Sequence, residues 1–108
     1  MVGLIWTIQI VHYPLFLEVP NSHFMEYERL HTRRMGALLA LPAVVEIITA
    51  AALVWIRPDG VGLAPVLIGG ALLAGIWIMT AAIQAPIHGR LSTGYDSTLI
   101  GRLINSNW

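Results

Sequence analysis

Long apolar runs separated by short polar segments dominate the chain. The clearest run, residues 35–56, reads MGALLALPAVVEIITAAALVWI and has one ionisable residue, Glu46, near its middle. This run is about as long as the roughly 20 residues that a helix needs to cross a bilayer. The pattern predicts three membrane-spanning helices, over about residues 1–19, 22–56 and 61–85.

The segment after the third apolar run is too polar to span a membrane. Within about residues 96–105, the apolar residues recur on one side of a helix: Leu99, Ile100, Leu103 and Ile104. This amphipathic pattern favours a short helix lying in the membrane interface, with Trp108 as its anchor. The sequence therefore predicts an all-α integral membrane protein that forms a single domain over residues 1–108.

Composition agrees with a membrane protein. Hydrophobic residues make up 56% of the 108 residues and the mean hydropathy is +0.71. Charged residues make up 11%, against about 25% in soluble domains. The formal net charge is zero and no basic run occurs, so we expect no nucleic-acid partner. The absence of cysteine excludes disulfides, thiolate metal sites and cysteine nucleophiles.

The arginines predict the orientation in the membrane. Three crossings place residues 20–34 and the tail on one side, and residues 57–60 on the other. The first side carries Arg29, Arg33, Arg34, Arg90 and Arg102, and the second carries Arg57. By the positive-inside rule, the N-terminus is external and the C-terminus cytoplasmic, in a bacterial inner (cytoplasmic or intracytoplasmic) membrane. Arg33 and Arg34 then mark the interfacial edge of the hydrocarbon region.

Glu46 is the first candidate for chemistry. A charged side chain at the bilayer centre costs about 2.5–3.5 kcal/mol on insertion scales, so intramembrane carboxyls are functional candidates. Gln9 lies at a similar predicted depth, roughly 15 Å from the cytoplasmic edge at 1.5 Å per residue. Three roles stay open for Glu46: a hydrogen bond to Gln9 that fixes helix register, a contact with another subunit, or a proton relay, quinone contact or cofactor contact. Under the last role, Glu46, Gln9 and His12 are the candidate catalytic residues.

The four histidines are His12, His23, His31 and His88. A neutral imidazole can ligate haem iron, the magnesium of a chlorophyll-type pigment or a transition metal. Since no two of them share a helix at a metal-ligand spacing, we expect no metal site. His12 is the candidate cofactor-binding residue, with haem, a chlorophyll-type pigment or a quinone as the possible cofactors.

Small residues on the third predicted helix indicate a packing surface. Gly70 pairs with Ala74, and Ala71 with Gly75, at small-xxx-small spacing. Such pairs let helix backbones approach closely in lipid. We therefore expect other transmembrane subunits, besides the lipid bilayer, as partners.

Several motifs carry a family resemblance. They are Gln9-x-x-His12-Tyr13-Pro14-x-Phe16, His31-x-x-Arg34-Met35, Gln84-x-Pro86-x-His88-x-x-Leu91-x-x-Gly94 and Asn107-Trp108. In this order they resemble small, uncharacterised bacterial four-helix integral membrane proteins that are distantly similar to the anthrone-oxygenase-like membrane family. The resemblance implies architecture more than activity, and it implies that a segment such as Asn107-Trp108 leads into a fourth crossing.

Two functions follow as expectations. The leading one is a small accessory or structural subunit of a larger membrane complex, respiratory or photosynthetic, which acts by helix packing and is not itself an enzyme. The rival is a membrane oxidoreductase or oxygenase-like protein that uses Glu46, Gln9 and His12 in a polar pocket.

Overall fold

The computed structural model describes residues 2–107, and this part of the chain is helical, with no strand. The predicted anchor Trp108 lies outside the described residues. The helices are α1 (Val2–Thr7), α2 (Tyr13–Leu15), α3 (Phe24–Trp55), α4 (Leu63–Met79), α5 (Ala85–Leu91) and α6 (Ser97–Ser106). Two π-helical segments, Ile8–His12 and Thr80–Gln84, and a 3-10 turn, Phe16–Glu18, join some of them.

Two helices in the described part are long and apolar enough to cross a membrane by length and composition. They are Phe24–Trp55 and the continuous helix Leu63–Leu91. In the most apolar stretch of the first helix, 6% of the residues are buried within the protein, and in that of the second helix 0% are buried. The interrupted helix over residues 2–18 is not among them, so the third predicted crossing stays a prediction.

Both π-helical segments precede a proline. Pro14 and Pro86 each lie two residues after a π segment, inside a helix that continues. Proline lacks an N–H and its ring clashes with a carbonyl one turn earlier, and a π segment is one of the few local changes that accommodate such a residue. The predicted end of the third helix near residue 85 is wrong, because the helix continues past Pro86 to Leu91.

The connection between the two long helices is a short turn. Residues 57–62 form no helix, and Gly60 has a φ of +85°. This left-handed conformation carries little steric cost for glycine because it has no Cβ.

The described residues form two compact units where the sequence predicts one domain. The first unit comprises residues 2–33 and 80–107, and the second comprises residues 34–79. The core of the first unit consists of Tyr13, Phe16, Phe24, Ile87, Leu91, Ile100 and Leu103.

Helix α6 contributes directly to this core. Its residues Ile100 and Leu103 are fully buried, and the Asp96 carboxylate caps its N-terminus by accepting hydrogen bonds from the backbone N–H groups of Thr98 and Leu99. The apolar side of the predicted helix 96–105 thus faces protein at Ile100 and Leu103, and the location of this helix in the membrane interface stays a prediction. An amphipathic pattern alone does not identify the surface that covers it.

Helical segments of the second unit present large apolar side chains outward. Leu41 is 71% exposed, Leu72 66% and Trp55 79%. Arg33 and Arg34, predicted to mark the membrane edge, are exposed on α3.

Candidate functional site

A carboxylate and an imidazole meet in the interior of the first unit. Glu28, on α3, is completely buried, and its Oε1 lies 2.6 Å from Nδ1 of His88, on α5. His88 is itself 15% exposed at its side chain. A buried carboxyl is costly unless it is hydrogen-bonded or paired, so the His88 contact explains how the first unit accommodates Glu28.

A second pair of side chains joins two imidazoles. Nε2 of His12 lies 2.8 Å from Nδ1 of His31, within hydrogen-bonding distance. Because one of these two nitrogens must accept the hydrogen bond, at least one of the rings is neutral in this arrangement. Both histidines are half-buried.

Phe16 brings the two pairs together. Its ring makes edge contacts with His12, His31 and His88, at centroid distances of 5.2, 4.9 and 6.2 Å. The rings of His31 and His88 lie 5.3 Å apart. Glu28, His88, His31 and His12 therefore form one group, which we name the imidazole–carboxylate cluster.

Helical spacing explains why α3 supplies two members of this cluster. Phe24, Tyr27, Glu28 and His31 stand at positions i, i+3, i+4 and i+7, which share one face of a helix. In the sequence, Phe24, Tyr27 and Leu30–His31 recur at the spacing of one helix face, and of these Leu30 is exposed. The sequence did not reveal Glu28 as a site residue, although the position falls on the same face. Among the three histidines of the cluster, the sequence singles out only His12 as a candidate site residue, and the structure adds His31 and His88.

One oxygen of the cluster has no partner. Oε2 of Glu28 is buried and accepts no hydrogen bond within the described residues. Unpaired buried polar atoms are uncommon in folded proteins. Residues 2–107 contain no group of three or more histidine or acidic side chains arranged to hold a metal ion.

A separate set of side-chain amides holds the C-terminal helix. The buried Gln9 donates from Nε2 to the backbone oxygen of Ile104 at 2.9 Å and accepts from Nδ2 of Asn107 at 2.8 Å. Asn107 also accepts from Nε2 of Gln84 at 3.2 Å. Gln9 and Gln84 belong to the two π-helical segments. We name Gln9, Gln84 and Asn107 the amide network.

Asn107→Ala is expected to loosen α6. It leaves Oε1 of the buried Gln9 without a donor, which costs about 1–3 kcal/mol. Faster hydrogen exchange across residues 97–106, measured by mass spectrometry, tests this. Asn105→Ala is the matched control, since Asn105 is exposed on the same helix. Equal exchange in the two variants would contradict a holding role for the network.

The proposed contacts of Gln9 and His12 differ from those in the structure. The two hydrogen bonds of Gln9 go to Ile104 and Asn107 rather than to Glu46. His12, the predicted cofactor residue, uses Nε2 for His31. Glu46 is half-buried on α3, and its Oε2 is a buried atom with no partner in the described part.

The small residues of α4 border an apolar groove in the second unit. The groove has a volume of about 480 Å³. Its lining includes Ile47, Ala50, Ala51 and Val54 of α3, and Gly70, Ala71, Ala74 and Trp77 of α4. A Cβ added at Gly70 or Gly75 would meet no atom within 4 Å. The predicted close backbone approach at these glycines is therefore not made within the described chain.

Comparisons with known proteins give no relative. No family model matches the chain, and neither a curated protein nor a solved structure matches it.

Proposed function

We propose that the protein is a small integral membrane subunit of a larger complex in a bacterial inner membrane, with its N-terminus outside and its C-terminus in the cytoplasm. The observation that carries this proposal is the exposure of large apolar side chains along both helices of the second unit. The cluster of proton-binding groups in the first unit favours a bioenergetic complex as the host, because such complexes move protons.

The exposed apolar surface of the second unit must be shielded from water by lipid or by other helices. Burial of apolar surface is worth about 25 cal/mol per Å², and side chains such as Leu41 and Leu72 are more than half exposed. Soluble monomers rarely expose contiguous apolar patches of more than a few hundred Å². Lipid and neighbouring membrane helices supply such a cover without exposing backbone groups, since the helices satisfy their own hydrogen bonds.

The groove in the second unit is the surface where a partner helix docks in this proposal. Lipid tails are as apolar as the groove, so they give no hydrophobic drive for association. Packing against small residues does favour a helix, because its side chains fill the space above Gly70, Ala71 and Ala74. The occupant is therefore an apolar transmembrane helix of another subunit.

Gentle detergent extraction followed by mass spectrometry of the intact particle tests the proposal. We expect a membrane protein recovered with stoichiometric partners. Gly70→Leu is expected to fill the groove and to reduce the recovered partner at least fivefold. A Cβ added at Gly70 meets no atom of its own chain within 4 Å.

Gly69→Leu is the matched control for this experiment. Gly69 is exposed next to Gly70 on α4 and also has open space at its Cβ, but it is not among the groove residues. Partner loss in both variants would assign the effect to α4 as a whole. A protein that extracts alone, or that is recovered without detergent, would overturn the subunit proposal.

A second candidate function rests on the imidazole–carboxylate cluster. We propose as an alternative a membrane oxidoreductase or oxygenase-like protein, in which the cluster takes the place predicted for Glu46, Gln9 and His12. Carboxyl and imidazole groups within hydrogen-bonding distance are typical of general acid–base sites. A haem or quinone that copurifies with the isolated chain and is lost in His12→Ala would favour this alternative over the subunit.

A further inference from the structure

We propose that Glu46 binds a basic side chain on the partner helix that docks in the groove of the second unit. This inference rests on the proposed subunit function and specifies the partner: a transmembrane helix that is apolar except for one arginine or lysine near its middle. It is carried by a carboxyl group at the edge of the groove for which the second unit supplies no hydrogen-bond donor.

Glu46 stands beside the groove on α3. It directly precedes Ile47 and lies one helical turn before Ala50, and both of these residues line the groove. Glu46 is half-buried, so its own unit does not enclose it. A helix seated in the groove therefore passes next to this carboxyl.

The carboxyl of Glu46 has no donor within residues 2–107. Its Oε2 is a buried atom without a hydrogen-bond partner, and neither of its oxygens takes part in an ion pair or hydrogen bond there. Ionisable side chains inside membrane helices normally face other helices and pair with a polar group. The second unit presents such a side chain without its pair.

The two arginines of the second unit are too far from Glu46 to form an ion pair with it. Arg34 and Arg57 stand near the two ends of the apolar run that contains Glu46. At 1.5 Å per residue, each lies roughly 16–18 Å from Glu46 along the helix axis, whereas an ion pair requires an N···O distance of at most about 4 Å. Arg57 instead donates to the backbone oxygen of Val54.

The other side-chain donors of the second unit do not serve Glu46 either. The hydroxyl group of Thr49 donates to the backbone oxygens of Val45 and Glu46. Trp77 lines the groove, but its Nε1 is a buried atom that also lacks a partner in the described part of the chain. Trp55 is 79% exposed at the end of α3. A helix in the groove is then the nearest source of the missing donor.

Charge complementarity favours a basic residue as this donor. A carboxylate in a membrane is accommodated by a cation that neutralises it, and arginine and lysine are themselves rare inside transmembrane helices unless they are paired. Each helix alone would keep an unpaired polar group in lipid, whereas the pair compensates both groups. The pair also fixes the depth of the partner helix, because Glu46 lies near the middle of the run 35–56.

Copurification with a charge variant tests this inference. The protein is extracted with mild detergent and its partner is quantified by mass spectrometry. We expect Glu46→Gln to reduce the recovered partner at least fivefold, because the amide keeps the size of the side chain and removes its charge. Asp59→Asn is the matched control and is expected to leave recovery unchanged, since Asp59 is exposed in the turn of the second unit and does not line the groove.

The recovered partner provides a reciprocal test. Its transmembrane helix is expected to contain an arginine or lysine inside the apolar stretch rather than at its ends. Glu46→Lys alone is expected to abolish recovery, and the exchange of that basic residue for glutamate in the partner is expected to restore it. A partner without such a residue, a failed restoration, or equal recovery with Glu46→Gln overturns the inference and leaves the subunit proposal intact.

Two further outcomes are separable from these. A parent protein that extracts without any partner overturns both the inference and the proposed function. Glu46→Gln is also expected to keep its helix content by circular dichroism, because the carboxyl has no hydrogen-bond partner within the described chain. Loss of helix content would place the partner of Glu46 in its own chain and would overturn the inference alone.

Discussion

Phe16→Ala is expected to destabilise the first unit by about 3–5 kcal/mol, which is typical of removing a fully buried phenylalanine. Phe16 is completely buried, and its ring makes edge contacts with Phe24 and Tyr27 as well as with the three histidines of the cluster. Aromatic pairs in this geometry contribute about 0.5–1.5 kcal/mol each beyond the area that they bury. The substitution also removes the ring against which both pairs of the cluster are held.

Unfolding in mixed detergent micelles, followed by circular dichroism, measures this loss. Leu17→Ala is the control, because Leu17 is the next residue along the chain and is 45% exposed. We expect its effect to stay within about 0.5 kcal/mol, as is usual for surface positions. Similar losses in the two variants would show that Phe16 is not central to the core.

Hydropathy and helical spacing predict the features of this fold that are determined by residues close together in the sequence. The run 35–56 is helical as far as Trp55, and the turn at 57–60 contains the glycine with positive φ. The shared face of Phe24, Tyr27 and His31 also lies toward the first unit's aromatic residues. Each of these features follows from composition or spacing within a few helical turns.

The sequence did not predict the contacts between residues that are far apart along the chain. Glu28 and His88 lie 60 residues apart, and Gln9 and Asn107 lie 98 apart, so no local pattern links them. A hydrogen bond between Gln9 and Glu46 was one of the alternatives, and equal predicted depth was the reason for it. Depth in a membrane fixes one coordinate of a side chain, whereas a hydrogen bond requires all three.

The tail shows a second limit of sequence reasoning. Leu99, Ile100, Leu103 and Ile104 give the same apolar stripe whether a helix lies on lipid or on protein. Asp96 marks where α6 begins, and its capping hydrogen bonds agree with that signal. The burial of Ile100 and Leu103 depends on which surface is available to cover them, and only the folded first unit supplies it.

A double-mutant cycle on Glu28 and His88 is expected to give the second large effect. His88→Leu leaves the completely buried Glu28 without its hydrogen-bond partner, and breaking a buried pair in this way costs about 3–5 kcal/mol. Glu28→Leu is expected to cost less, because the His88 side chain keeps 15% exposure and retains access to water. The double variant is expected to be closer to the parent protein than His88→Leu is, since an apolar pair leaves no buried polar group unpaired.

The coupling energy of this cycle distinguishes a true pair from two side chains that merely lie close. Glu26→Leu and His23→Leu form the matched cycle, at exposed positions in the same region of the chain, and we expect their effects to be small and additive. For Glu28 and His88, additivity within about 0.5 kcal/mol would contradict the 2.6 Å contact as an energetic interaction. A strong coupling would show that Glu28 and His88 stabilise the first unit as a pair, and a double variant as stable as the parent protein would show that an apolar pair can replace them.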